Sequence, residues 1–90
     1  MKINEKAAAG TMESSDIYIE VAPGSGGIDI QIDSVVSDRF ETSIRNTITE
    51  VLSEFGVKDA KIMVNDRGAL DCTIRARMET ALKRASNGGI

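Results

Sequence analysis

The chain has 90 residues, 41% of them hydrophobic and 28% charged, with a formal net charge of −3, which suits one small folded domain. Its one cysteine and complete lack of histidine exclude an internal disulfide, the usual zinc sites and histidine-dependent nucleophilic catalysis. Because it is acidic, has three aromatic residues and lacks a membrane-length apolar run or a signal-peptide hydrophobic region, we expect a cytoplasmic protein that binds neither nucleic acid nor membrane.

The first half of the chain predicts a flexible segment followed by two strands. Residues 1–15 show no sustained periodicity, and we expect them to be mobile or loosely docked. Alternating apolar residues then predict strands at 16–22 and 27–33, each with one half-buried face. Because the sequence PGSGG at 23–27 is typical of a turn, we expect the two strands to form a hairpin.

The second half predicts two amphipathic helices around a third strand. We expect Ser37 to cap the first helix, Gly56 to end it, and Asp71 to cap the second. The alternating residues 60–66 predict the intervening strand. The apolar stripe of the first helix is Phe40, Ile44, Ile48, Val51, Leu52 and Phe55. That of the second is Leu70, Ile74, Met78, Ala81, Leu82 and Ala85.

The element order ββαβα predicts an α+β fold. Both helices are expected to cover one face of a three-stranded sheet, because that arrangement buries all the apolar faces economically. The folded domain is expected to span residues 16–86, with a frayed tail at 87–90.

Three features of the strands and helices resemble functional motifs without fitting them. The Gly-rich residues 22–27 lack the Lys-Ser/Thr ending of a phosphate-binding loop and precede a strand, which favours a turn. Asp29 and Asp33 would lie about 13 Å apart on one strand face, too far for a catalytic carboxylate pair. Cys72 has no second cysteine or neighbouring base, so we expect a small core residue.

The last helix and the end of the second strand offer two further candidates. The basic residues of the helix predict a solvated face or, alternatively, a docking surface for an acidic partner. They are Arg75, Arg77, Lys83 and Arg84. Ser34, within Asp33-Ser34-Val35, is similar to the modified serine of ordinary acyl carrier proteins. Those proteins are four-helix folds, however, so we expect Ser34 to help end the second strand and begin the next helix instead.

The sequence AGTMESSD at 9–16 places Ser14 and Ser15 between two acidic residues. With no histidine in the chain to activate either hydroxyl, a reaction at these serines needs a separate enzyme. A mobile, acid-flanked serine is accessible to a modifying enzyme, although serines are also common in solvated segments that have no function. Glu13 and Asp16 are expected to orient the segment in a basic pocket of such an enzyme.

This block and the sequence DRGALDCTIRARMETALKRA at 66–85 together resemble the acyl carrier protein, or gamma subunit, of citrate lyase. The resemblance runs over roughly residues 2–85. It implies that Ser14, the first serine of the block, carries 2′-(5″-phosphoribosyl)-3′-dephospho-coenzyme A through a phosphodiester, attached by a dedicated transferase that uses a triphosphate precursor.

The same resemblance implies a non-catalytic subunit of a hetero-oligomer. Its arm would carry acetyl and citryl thioesters between the alpha subunit, an acyl transferase, and the beta subunit, an acyl lyase, as citrate is cleaved to acetate and oxaloacetate. One alternative is the related carrier of malonate decarboxylase. The other is an interaction module that uses the basic last helix and leaves Ser14 unmodified.

Overall fold

Six elements of secondary structure form a sheet with two helices on one face, which confirms the predicted α+β class. The computed structural model describes residues 1–35 and 39–86, without the side chains at 39 and 40. The elements are β1 (Ala7–Gly10), β2 (Ile17–Ala22), β3 (Ile28–Ser34), α1 (Arg39–Glu54), β4 (Ala60–Asp66) and α2 (Asp71–Ala85). The predictions for Ser37, the side chain of Phe40 and the tail at 87–90 lie outside the described residues.

The core lies between the helices and the apolar face of the two central strands. In β2 and β4, alternate residues point to the same side, so the pairs Ile19–Val64 and Val21–Ile62 stack next to each other across the strands. The helices cover these pairs with their own apolar stripes. The fully buried side chains include Ile17, Ile19, Val21, Ile48, Val51, Ile62, Ile74, Met78 and Leu82.

The predicted hairpin between the second and third strands is wrong, because another strand lies between them. The sheet order is β1-β2-β4-β3, with β4 antiparallel to β2 and parallel to β3. The loop at 23–27 crosses the start of β4, where the Gly27 carbonyl accepts a hydrogen bond from the Ala60 amide at 3.1 Å. A Cβ at Gly24 would lie 2.6 Å from the Ala60 nitrogen, so the close crossing requires glycine there.

The prediction of three strands is also wrong, because the N-terminal segment contributes a fourth. Strand β1 pairs with β2 along an outer edge of the sheet, and its Ala9 is buried opposite Ile19. The segment is held elsewhere too: Ile3 is buried, and the Asn4 amide donates to the Ala85 carbonyl at the end of α2. A domain boundary at residue 15 and mobility of residues 1–15 stay predictions.

Helix α1 ends as predicted at a glycine. Gly56 has a φ of +67°, and the Gly56 and Val57 amides donate to the carbonyls of Ser53 and Leu52. This pair of hydrogen bonds is the Schellman arrangement, which satisfies the last free carbonyls of a helix. Among the described residues, no helix is long and apolar enough to cross a membrane.

Helix α2 begins differently from the prediction. Leu70 occupies the N-cap position without a side-chain hydrogen bond, and Asp71 is the first helical residue. Asp71 still places a negative charge at the positive end of the helix, which stabilises it. Leu70 is 72% exposed and lies outside the buried stripe, which begins at Ile74.

Candidate functional site

Ser14 lies in the site loop, residues 11–16, which connects β1 to β2. The Thr11 amide donates to the Ile17 carbonyl at 3.2 Å and closes the base of the loop. Ser14 is exposed, and its hydroxyl makes no hydrogen bond with any residue the structure describes. The hydroxyl oxygen is therefore accessible to another molecule.

The carboxylate of Asp16 joins both ends of the site loop to α2. Its Oδ2 accepts hydrogen bonds from the Thr11 hydroxyl at 2.7 Å and Arg77 Nη2 at 3.0 Å. Its Oδ1 accepts from the Ile17 amide at 2.7 Å and Arg77 Nε at 3.2 Å. The guanidinium thus binds both carboxylate oxygens, the geometry in which an arginine–carboxylate pair is strongest and most directional.

These hydrogen bonds lower the pKa of Asp16 from its ordinary 3.8 to about 2. The Thr11 hydroxyl has the largest effect, followed by Arg77 and the Ile17 amide, whereas burial opposes them by raising the pKa. The Asp16 side chain is 14% exposed. Because all the donors point at the carboxylate, its charged form is favoured. We call the hydrogen-bonded group of Thr11, Asp16 and Arg77 the Asp16 clamp, and it is intact at neutral pH.

A β-bulge fixes the site loop from the other side. The Ser15 amide donates to the Arg67 carbonyl at 2.8 Å, and the Arg67 amide donates to the Asp16 carbonyl at 2.9 Å. Just beyond the paired ends of β2 and β4, Ser15 and Asp16 therefore face the single residue Arg67, and Ser15 has a φ of +66°. A bulge whose first residue has a left-handed backbone conformation usually has glycine at that position. The bulge bends the chain immediately after Ser14.

This backbone geometry predicts that Ser15 tolerates glycine better than a branched residue. Glycine relieves the left-handed strain but loses more entropy on folding, so Ser15→Gly should change the free energy of unfolding by less than about 0.5 kcal/mol. Ser15→Val should lower it by about 1–2 kcal/mol, because a β-branched side chain resists positive φ. Urea denaturation of both variants measures the difference. Equal effects would show that the φ of Ser15 does not limit stability.

The lowered pKa predicts how the Asp16 clamp responds to acid. Because the pKa of Asp16 is lower in the folded state than in the unfolded state, the ionised side chain stabilises the fold at pH values above 3.8. That stability is lost as the pH falls towards about 2. Allowing for solvent screening, the contribution is about 1–2 kcal/mol. An NMR titration of the Asp16 carboxyl carbon should give a midpoint near 2 in the wild type and a higher one in Thr11→Val. An unchanged midpoint in Thr11→Val would contradict the assigned cause.

Ser34, the other candidate serine, is engaged within the fold. It ends β3 as predicted, and its hydroxyl donates to Asp66 Oδ2 at 2.9 Å. Asp66 is 2% exposed, and its other oxygen accepts from the Ala69 amide at 3.0 Å. The Ser34 hydroxyl therefore helps to satisfy a buried carboxylate where β3 and β4 end.

The basic residues of α2 mostly contact other parts of the same chain. Arg75 forms ion pairs with Glu54 and, at 3.7 Å, with Glu79. Arg84 donates to the Ala8 carbonyl at 2.8 Å, and Arg77 holds Asp16. Lys83 and Arg84 are exposed and the other two are partly exposed, as expected of a solvated face. Because three of the four bind within the chain, they offer an acidic partner less positive charge than the sequence suggests.

The remaining predicted sites are surface positions. Asp29 and Asp33 are exposed along β3, as expected of a solvated strand face. Cys72 is exposed as well, so its prediction as a core residue is wrong. Among the described residues, no group of three or more histidine, cysteine or carboxylate side chains could hold a metal ion.

Sequence reasoning did not identify the residues that shape the site loop. Asp16 was expected to face a partner enzyme together with Glu13, but it binds Thr11 and Arg77 within the chain. Asp16 and Arg77 are 61 positions apart, so no local pattern links them. The only signal was the presence of Asp16 and Arg77 in the two distinctive sequence blocks.

The structure thus presents an exposed serine, Ser14, on a loop that polar contacts hold at the edge of a small α+β domain. The chain belongs to the acyl carrier protein family described as malonate decarboxylase delta subunit (MdcD), which it matches over residues 4–85. The predicted acyl carrier role is thereby confirmed. The assignment to citrate lyase in particular is not confirmed and stays a prediction.

A solved structure shows the same fold. The chain resembles one chain of a Pseudomonas malonate decarboxylase hetero-tetramer in complex with malonate, with 20% sequence identity and a TM-score of 0.81. The similarity covers 92% of this chain and 86% of that one. The arrangement of strands and helices described above is therefore shared with a subunit of a hetero-oligomer.

Proposed function

We propose that this chain carries acyl groups on a prosthetic arm that is covalently attached to Ser14. The observation that carries the proposal is the exposed Ser14 hydroxyl, which bonds to no described residue and lies on a loop held by polar contacts. The site fits a phosphodiester-linked group such as phosphoribosyl-dephospho-coenzyme A, since attachment needs an accessible hydroxyl and Ser14 is exposed. When bound, that group supplies a thiol for thioester chemistry.

The chain itself would hold and present the arm without catalysing a reaction. The Ser14 hydroxyl oxygen would form a bond to phosphorus of the triphosphate precursor as the phosphoanhydride bond breaks and diphosphate leaves. We assign the base that takes the hydroxyl proton to the attaching enzyme, since the chain contains no histidine. Attachment to a small domain keeps the acyl group at a high effective concentration near the catalytic subunits of a complex. Acyl transfer and bond cleavage would then belong to those partner subunits.

Malonate decarboxylase is the first candidate for the complex. The family that the chain matches is described by that name, and the solved structure of the same fold comes from such a complex. Citrate lyase is the second candidate, supported by the resemblance of residues 9–16 and 66–85 to its gamma subunit. An interaction module built on the basic face of α2 has less support, because Arg75, Arg77 and Arg84 bind within the chain.

The proposal is tested by intact mass and peptide mapping after co-expression with the enzymes that make and attach the arm. A mass gain located at residues 9–16 supports the carrier function. No gain, with the attaching enzyme shown to be active on its own carrier, contradicts it. The loaded chain is then offered separately to malonate decarboxylase and citrate lyase subunits, and the system that exchanges its acyl group identifies the complex.

A further inference from the structure

The conformation of the site loop is held almost entirely by polar contacts. Met12 is 48% exposed, and Glu13, Ser14 and Ser15 are exposed as well. With no buried apolar side chain at 11–15, the loop gains little from the hydrophobic effect. Its conformation therefore depends on the Asp16 clamp, formed by Asp16 with Thr11 and Arg77, and on the backbone bonds to Arg67.

We infer that Thr11, Asp16 and Arg77 are positioning residues that hold Ser14 in the conformation bound by the arm-attaching enzyme. That enzyme recognises a folded loop and not a flexible peptide. The inference rests on the proposed attachment at Ser14. It also defines the kind of surface the enzyme must have: one complementary to a fixed loop backed by the turn between β4 and α2. Gly68 of that turn lies directly behind the loop, since a Cβ there would be 4.0 Å from the Ser15 Cα.

The geometry favours recognition of a folded loop for a further reason. The Thr11 hydroxyl donates to Asp16 and accepts from the Glu13 amide at 3.2 Å, so one side chain joins both halves of the loop. The Asp16 amide also donates to the Glu13 carbonyl at 3.2 Å. A segment that only had to be drawn into an enzyme pocket would need none of these bonds. Here they fix the residues on both sides of Ser14.

Loss of the Arg77 side chain should free the loop and leave the domain folded, because the core does not include the clamp. Only a fraction of the carrier molecules would then hold the binding-competent loop, and the apparent affinity falls by that fraction. We expect Arg77→Ala to raise the KM for the carrier about tenfold, with kcat changed less than about twofold. Arg77→Lys keeps the charge but loses the bidentate hydrogen bonding, so its KM should lie between those of the wild type and Arg77→Ala.

The experiment uses the full chain, the arm-attaching transferase and its triphosphate precursor, and follows the rate of mass gain against carrier concentration. Arg75→Ala is the matched control, because it removes the same side chain from the same helix but from a pair with Glu54 and Glu79. It should behave like the wild type. Amide hydrogen exchange at Ser15 and Ile17 reports whether the loop has opened, and urea denaturation reports whether the domain is folded.

The outcomes separate this inference from the proposed function. Faster exchange at Ser15 and Ile17 with an unchanged KM in Arg77→Ala would overturn the inference while the carrier function stands. A fall in kcat alone would also overturn it, since Arg77 would then act on the enzyme and not on the loop. No mass gain in the wild type would instead reject the function. If Arg77→Ala does not fold, Thr11→Val provides the same test on the opposite side of the clamp.

Discussion

Replacing Ser14 with alanine should abolish attachment of the prosthetic arm and leave the domain intact. The substitution removes one hydroxyl that is exposed and bonded to no described residue, so the free energy of unfolding should change by less than about 0.5 kcal/mol. The oxygen that would form the phosphodiester is lost with it, and no neighbouring side chain can replace it at the same position. Intact mass after co-expression with the attaching enzymes measures the loss, and urea denaturation confirms folding.

Two other serines provide the controls for that experiment. Ser15→Gly keeps the left-handed backbone after Ser14 and should be modified like the wild type. Ser34→Ala removes the hydrogen bond to buried Asp66 and should lower stability by about 1 kcal/mol without preventing modification. Loss of the mass gain in Ser34→Ala but not in Ser14→Ala would mean that the arm is attached where β3 ends.

Replacing Gly10 with alanine should destabilise the whole fold. Gly10 ends β1 with a φ of +95°, and a Cβ there would lie 1.8 Å from the backbone oxygen of Ile17. Because that oxygen belongs to the first residue of β2 and accepts the hydrogen bond from the Thr11 amide, it cannot move away without disturbing the pairing of β1 with β2. We expect a loss on the order of 3 kcal/mol or more in the free energy of unfolding, measured in urea.

Gly26 provides a matched control for Gly10. Its φ of +111° is also unfavourable for a side chain, but beyond its chain neighbours no atom of the described residues lies within 4 Å of the position its Cβ would take. Gly26→Ala should therefore cost only about 1 kcal/mol, the price of the backbone conformation alone. If the two variants were equally destabilised, the contact with Ile17 would not be the cause.

The fold could be predicted where a local pattern determines the structure. Strand β4 occupies the predicted residues, α1 ends at the predicted glycine, and the buried stripe of α2 follows the predicted spacing from Ile74 onward. Strand β1 was missed because Ala7–Gly10 has neither alternation nor β-branched residues. It is a strand because β2 offers a free edge and α2 packs over it, with Arg84 bonded to the Ala8 carbonyl.

The site could be predicted only in part, for a similar reason. Two adjacent serines between acids indicate a segment that another enzyme could modify, but the choice of Ser14 came from family resemblance. The clamp on Asp16 and the bulge at Ser15 depend on Arg77 and Arg67, which only the completed sheet brings near. The same limit explains the false hairpin, since periodicity identifies a strand without identifying its partner.

The position of β4 between β2 and β3 has a consequence for the order in which the molecule is built. As the chain leaves the ribosome, β1, β2 and β3 emerge first. Strand β2 can pair with β1, but β3 has no strand beside it until β4 has been synthesised. The surroundings of Ser14 are completed later still, because they need Arg67 and then Arg77. A nascent or truncated chain that stops before α2 thus exposes Ser14 without the ion pair between Asp16 and Arg77. Recognition of a folded loop would then restrict attachment of the arm to fully synthesised molecules.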